Sequence, residues 1–167
     1  MRVVALLRGV NVGGNRKLPM AELRATLADA GYGEVRTHLQ SGNVILDTAK
    51  RPAALERELE KLIGVRVVVR AHDELVGVVA RDPFGELATN GSRYFVTFLS
   101  APVDDVPGLE SGDGELFVVS GREIYAWLPD GIHDSQRAKL LTERKLGVVP
   151  TTRNWNTVTK LVELTQA

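Results

Sequence analysis

Apolar and polar positions switch between two periods along this chain, and the switches mark its elements. Residues 2–7, Arg-Val-Val-Ala-Leu-Leu, are apolar almost throughout and read as a buried strand. Over Pro19–Ala30 the period becomes helical. Met20, Leu23 and Leu27 fall on one stripe, with Pro19 at the start and Gly31 placed to end it. Val35–Leu39 and Asn43–Asp47 are short strands around Gln40-Ser-Gly-Asn43, which reads as a hairpin turn. Pro52–Ile63 is a second amphipathic helix, with Leu55, Leu59, Leu62 and Ile63 inward and Gly64 as its stop. Val65–Arg70 is a fourth strand. The order β-α-β-β-α-β is that of a ferredoxin-like sandwich.

The second half is less regular. Asp73–Ala80 has a helical pattern and reads as a connector, broken by Asp82-Pro-Phe-Gly85. Arg93–Leu99 is a strand, and the Pro-, Gly- and Asp-rich stretch 101–114 is a loop. Leu116–Val119 and Ile124–Leu128 form a hairpin across Ser120-Gly-Arg122. A helix is expected from about Asp134 to Leu146, with Asp134 or Ser135 as N-cap. A short strand near Val148–Thr151 and a helix near Trp155–Leu164 follow. The prediction is an α+β protein of two ferredoxin-like (β-α-β-β-α-β) sandwiches in tandem, with an added C-terminal helix. Residues 1–71 form the first subdomain, 72–92 a connector helix and loop, and 93–167 the second subdomain with that helix. The halves share no visible residue-level repeat.

Several strands are apolar on both faces. Val3, Ala5 and Leu7 alternate with Val4 and Leu6, and Tyr94, Val96 and Phe98 alternate with Phe95 and Leu99. A sheet with one wet face alternates apolar with polar residues instead. Both faces are therefore expected to be covered, by helices and by the other half or a second subunit, which leaves a homodimer open.

Composition narrows the function classes. The chain has no cysteine, so disulfides, thiolate nucleophiles and cysteine-ligated zinc are excluded, and a reducing, cytoplasmic location is expected. The first apolar run stops at Arg8, too early for a signal peptide, and no run approaches the roughly 20 residues of a membrane span. Net charge is zero, which makes a poor non-specific nucleic-acid binder. The charge is nonetheless uneven. Residues 1–40 carry six Lys/Arg against three Asp/Glu, 82–134 carry two against ten, and 135–167 carry six against two. Basic ends around an acidic middle permit a local anion site.

Three polar blocks are candidates for chemistry. Leu7-Arg-Gly-Val-Asn-Val-Gly-Gly-Asn-Arg-Lys17 joins the first strand to the first helix, and glycines beside Arg, Lys and a helix start favour an anion. Gly9 and Gly14 have the spacing of a phosphate-binding P-loop, but Asn15 stands where its lysine belongs and no Ser/Thr follows. The loop is thus a general anion or polar-ligand loop using Arg8, Asn11, Asn15, Arg16 and Lys17, or a turn whose glycines and asparagines satisfy positive φ angles. Gln40, Ser41 and Asn43 add hydrogen-bonding groups near it, or simply close a hairpin. In Thr151-Thr-Arg-Asn-Trp-Asn-Thr157, Asn154 or Asn156 caps the last helix. Arg153, Asn156 and Lys160 are not required by that capping and are further candidates. The strand Arg93–Phe98 lacks the glycines of an RNA-recognition strand and reads as core. Tyr125 and Trp127 share a face as a stacking platform or as packing. His38, His72 and His133 show no metal-ligand spacing, and no cofactor is implied.

Arg8-Gly-Val-Asn-Val-Gly-Gly14, Pro19-Met-Ala-Glu-Leu23, Gln40-Ser-Gly-Asn-Val44 and Thr152-Arg-Asn-Trp-Asn-Thr157 with Lys160-Leu161 occur in that order. Together they resemble the bacterial family catalogued as domain of unknown function 1697. The resemblance spans essentially the whole chain and implies two ferredoxin-like subdomains, but it leaves the activity open. The favoured reading is a binding protein for an anionic or polar ligand, a nucleotide or a nucleic-acid end. One alternative is an enzyme on a phosphorylated or carboxylated substrate, with His38 as the least poor general base. The other is an interaction protein whose polar blocks hold two subdomains in register.

Overall fold

The computed structural model describes residues 1–10, 17–40 and 42–166. The chain divides into two compact units, Met1–Leu75 with Leu161–Ala167, and Val76–Lys160. Both are α+β, and each contains one four-stranded antiparallel sheet.

In unit 1 the elements are β1 (Arg2–Leu7), α1 (Met20–Asp29), β2 (Arg36–His38), β3 (Asn43–Asp47), α2 (Pro52–Ile63) and β4 (Val67–Ala71). The strand order is β2-β3-β1-β4, every neighbouring pair antiparallel. Val3, Ala5, Leu7, Val44, Leu46, Val67 and Val69 form one sheet face, buried with Leu23 and Leu27 of α1 and Leu55, Leu59 and Ile63 of α2. Leu62, expected inward, is instead 39% exposed. The stripe runs Leu55, Leu59, Ile63 in steps of four, and Leu62 lies about 60° from its centre, on the stripe's flank.

The second face of this sheet is also buried: Val4, Leu6, Asn43, Ile45, Val68 and Arg70 are all at most 1% exposed. Arg2 and Arg36 lie on the same face, because Arg2 pairs with Asp47 and Arg36 with Ile45 in the strand register. They reach the end of the last helix, α5 (Trp155–Thr165). Arg36 donates to the Leu164 carbonyl at 2.9 Å and Arg2 to the Gln166 carbonyl at 3.2 Å. His72 Nδ1 lies 2.9 Å from Thr165 Oγ1. The last carbonyls of a helix lack intrahelical partners and carry partial negative charge. α5 has no basic residue of its own in its last turn, so the sheet supplies the cations.

Unit 2 contains β5 (Tyr94–Leu99), β6 (Leu116–Ser120), β7 (Glu123–Trp127), α4 (Glu143–Leu146) and β8 (Pro150–Asn154). It also receives the greater part of α3 (His72–Arg81), which follows β4 directly. The strand order β6-β7-β5-β8 repeats that of unit 1. The registers repeat as well. Val4 pairs with Arg70 as Val96 pairs with Arg153, and Leu6 with Asn43 as Phe98 with Glu123. One face buries Leu99, Ile124 and Ala126 with Val106, Leu109 and Ala138. On the other, Tyr94, Val96, Phe98, Tyr125 and Glu123 are buried. There the Tyr125 hydroxyl donates to the Val78 carbonyl of α3 at 2.7 Å. Arg81 donates to that hydroxyl at 3.1 Å and pairs with Glu123 at 2.5 Å. The expectation that neither sheet has a wet face holds for both units.

The helix expected over 134–146 is not continuous. A 3-10 turn at Arg137–Leu140 and the single-turn α4 take its place. Ser135 Oγ accepts from Ala138 N at 3.1 Å, and Thr142 then takes extended backbone angles to cap α4 through Lys145 N. Leu140, Leu141 and Leu146 all pack on the same core, which a straight helix would spread over more than one face. The strand expected near 148–151 lies at Pro150–Asn154, because Val149 first bonds to Ser100.

The Arg2–Asp47 ion pair at 3.1 Å holds the Asp47 carboxyl below its ordinary value, chiefly through the hydrogen bond from Arg2. A depressed carboxyl contributes stability above its unfolded pKa of about 3.9, and that stability is lost as pH falls through the folded value. Asp47→Asn should therefore lower the thermal midpoint at pH 7. The difference from the parent should shrink to nothing in the acid range, as followed by circular dichroism across pH.

Candidate functional site

The polar blocks of unit 1 are brought together by one glycine. β1 ends at Leu7, and the chain continues through Arg8 and Gly9 to the buried Val10. The hairpin turn between β2 and β3 lies against this corner: Leu7 N donates to the Gly42 carbonyl at 2.9 Å. Gly42 has φ +92°, and a Cβ there would lie 2.8 Å from Val10 Cγ2 and 2.9 Å from Leu7 Cβ. A side chain at 42 would thus separate the turn from the start of the loop. On the other side of β1, Arg8 N donates to the Arg66 carbonyl at 3.0 Å, just ahead of β4.

The expected contacts at this corner differ in their surroundings. Arg8 is half-buried, and Lys17 and Gln40 are exposed. Asn43 is fully buried, and its Nδ2 donates to the His38 carbonyl at 2.7 Å, so it braces the hairpin from within. Asn11, Asn15, Arg16 and Ser41 lie outside the described residues. Arg66, exposed and 3.5 Å from Glu60, is a cation at this end that sequence inspection did not single out. Only the β1–β4 register places it beside Arg8.

The third block belongs to unit 2 and is largely structural. Arg153 is 8% exposed, and its Nη1 donates to Thr151 Oγ1 at 2.8 Å and to the Thr152 carbonyl at 2.9 Å. Burial pushes this guanidinium down to about 10, so it stays charged at neutral pH. Asn154, not Asn156, caps α5: its Oδ1 accepts from Thr157 N at 2.9 Å. Trp155 stacks on Tyr94 with ring centroids 4.2 Å apart and planes within 4°. The Tyr94 hydroxyl donates to Asp82 at 2.8 Å, and burial together with that bond raises its pKa. Asn156 is exposed, but a Cβ on Gly91 would meet its Oδ1 at 2.1 Å. The block thus anchors the 82–92 loop as well as starting a helix. Lys160 is half-buried. Tyr125 is fully buried, as the packing reading requires, and Trp127 is half-buried.

Among the described residues, no group of three or more His, Cys, Asp or Glu could hold a metal ion. No described helix is long and apolar enough to cross a membrane. His38 is half-buried on β2 and His72 is engaged by Thr165, while His133 is exposed.

Comparison with known proteins gives a family match without an activity. The family described as "Protein of unknown function (DUF1697)" matches residues 1–125. No curated protein matches. Among solved structures, the conserved bacterial protein SP0830 from Streptococcus pneumoniae is similar, with a TM-score of 0.76 and 22% sequence identity. The similarity covers 99% of this chain and 98% of that one. At that identity it bears on the fold alone.

Gly42 and Gly9 separate close packing from backbone strain. Both have positive φ, but nothing lies within 4 Å of a Cβ on Gly9. Gly9→Ala should cost about 1 kcal/mol, the strain of a left-handed residue. Gly42→Ala adds overpacking and should cost about 2–4 kcal/mol. Chemical denaturation of the two variants checks the ordering.

Proposed function

The chain belongs to the DUF1697 family, and from that premise we propose that it binds an anionic or polar ligand at the end of β1 in unit 1. A nucleotide or a nucleic-acid end is the ligand chemistry that best suits the donors there. The observation carrying this reading is the seat of Gly42 on Leu7 and Val10, which sets the polar turn against the start of the Arg8–Lys17 loop. Arg8 and Lys17 of that loop and Arg66 ahead of β4 supply positive charge within the same unit, and Gln40 adds an exposed amide. Asn11, Asn15, Arg16 and Ser41 contribute by sequence, as donors in the same two blocks. Arg153, buried and bonded within unit 2, is not drawn on.

The same reading takes residues 1–71 and 93–167 as ferredoxin-like sandwiches, with 72–92 as the connector. The shared strand order and the matching registers support it.

Ligand that binds only the folded state stabilises it by about 2.7 kcal/mol at a hundredfold excess over Kd. For a domain of this size that is a rise of roughly 5–10 °C in midpoint. A thermal-shift screen of nucleotides, phosphorylated metabolites and short oligonucleotides at low salt should show such a rise. Salt should weaken it, and the Arg16→Ala/Lys17→Ala double variant should abolish it. A flat screen, or a rise that the double variant leaves intact, contradicts the proposal.

A further inference from the structure

Unit 2 carries a pocket of about 300 Å³ lined by none of the described residues of the three polar blocks. Its walls are the start of β5, with Arg93 and Phe95, and the segment after β7, with Asp130, Ile132 and Asp134. The two walls are tied by the backbone. Leu128 N donates to the Arg93 carbonyl at 2.9 Å, and Gly131 N to the Leu128 carbonyl at 2.9 Å. Gly131 has φ +94°, and a Cβ there would lie 2.1 Å from Arg93 Nη1. The guanidinium therefore lies across the bare backbone of Gly131, at the pocket's edge.

Among the described residues, no ion pair or side-chain hydrogen bond engages Arg93, Asp130 or Asp134. The adjoining groove of about 460 Å³, which shares Asp130 and Asp134, differs. There Arg137 neutralises Asp113 at 3.0 Å and Glu115 at 3.2 Å. One cation and two carboxylates thus face a small cavity without meeting each other, beside the half-buried Phe95 and Ile132.

We propose that this pocket binds a free α-amino acid with an apolar side chain. Arg93 would take the carboxylate, since a planar guanidinium matches two carboxylate oxygens at once. Asp130 and Asp134 would take the ammonium, and Phe95 and Ile132 the side chain. The volume lies at the small end of ligand pockets, which suits a molecule of this size. A ligand of single charge would leave one side of the pocket unmatched.

The test is a nitrogen-15 NMR titration of the full chain with L-phenylalanine, 2-phenylethylamine and 3-phenylpropanoate. L-Phenylalanine should shift the amides of Ser92–Phe95 and of 130–134. Each singly charged probe should bind at least tenfold more weakly, about 1.4 kcal/mol. Arg93→Gln should weaken L-phenylalanine by a similar factor, and so should the double variant Asp130→Asn/Asp134→Asn. No response at these amides, equal binding of all three probes, or an undiminished Arg93→Gln variant would each overturn the proposal.

Discussion

Two four-stranded sheets with apolar residues on both faces impose the constraint on which the rest of this molecule depends. Neither face can meet water, so each sheet needs cover on two sides. In unit 1, α1 and α2 cover the face of Val3, Ala5 and Leu7. The face of Val4 and Leu6 presents Arg2 and Arg36 to the end of α5. In unit 2 the face of Tyr125 and Glu123 receives the end of α3. Each of these two helices follows the fourth strand of its half, and each begins in one unit and ends in the other. Burial of a Val, Leu or Ile is worth roughly 1.5–3 kcal/mol per side chain, so either face alone carries several kcal/mol.

Polar groups on these buried faces are placed where the helices need them. Guanidinium groups of the sheet bond the Leu164 and Gln166 carbonyls at the end of α5, whose last turn has no basic residue of its own. Arg81 binds both the Tyr125 hydroxyl and the Glu123 carboxylate, so a buried acid on the sheet keeps a charged partner. Glu123 stands at the register position that Asn43 holds in unit 1, where the amide braces its own hairpin instead.

Hydrophobic period was enough to place the elements of residues 1–71, where β1, β3 and α2 are strongly patterned, although it put Leu62 of α2 inward. It failed over 134–146, where side-chain capping by Ser135 and Thr142 breaks a helical stripe into two short turns. The repeat between halves was legible as element order but not as sequence. What the halves share is register, and strand register is set by side-chain alternation and turn geometry, not by residue identity. At the candidate corner the blocks were visible, but Arg66 was not, because only strand pairing brings it near Arg8. In the third block the capping Asn was legible, whereas the match of Asn156 to Gly91 spans 65 residues and leaves no local signal. The 82–134 segment carries no motif, yet its turn after β7 lines the pocket, since a cavity arises from tertiary placement.

The central claim is that the last turns of α5 complete unit 1 by covering the second face of its sheet. Native-state hydrogen exchange on the full chain and on a variant ending at Lys160 tests it most directly. The truncated protein should lose protection at the amides of Val4, Leu6, Ile45 and Val68, while β5 and β7 of unit 2 keep more of theirs. Unchanged protection in β1 and β3 after the truncation would contradict the account.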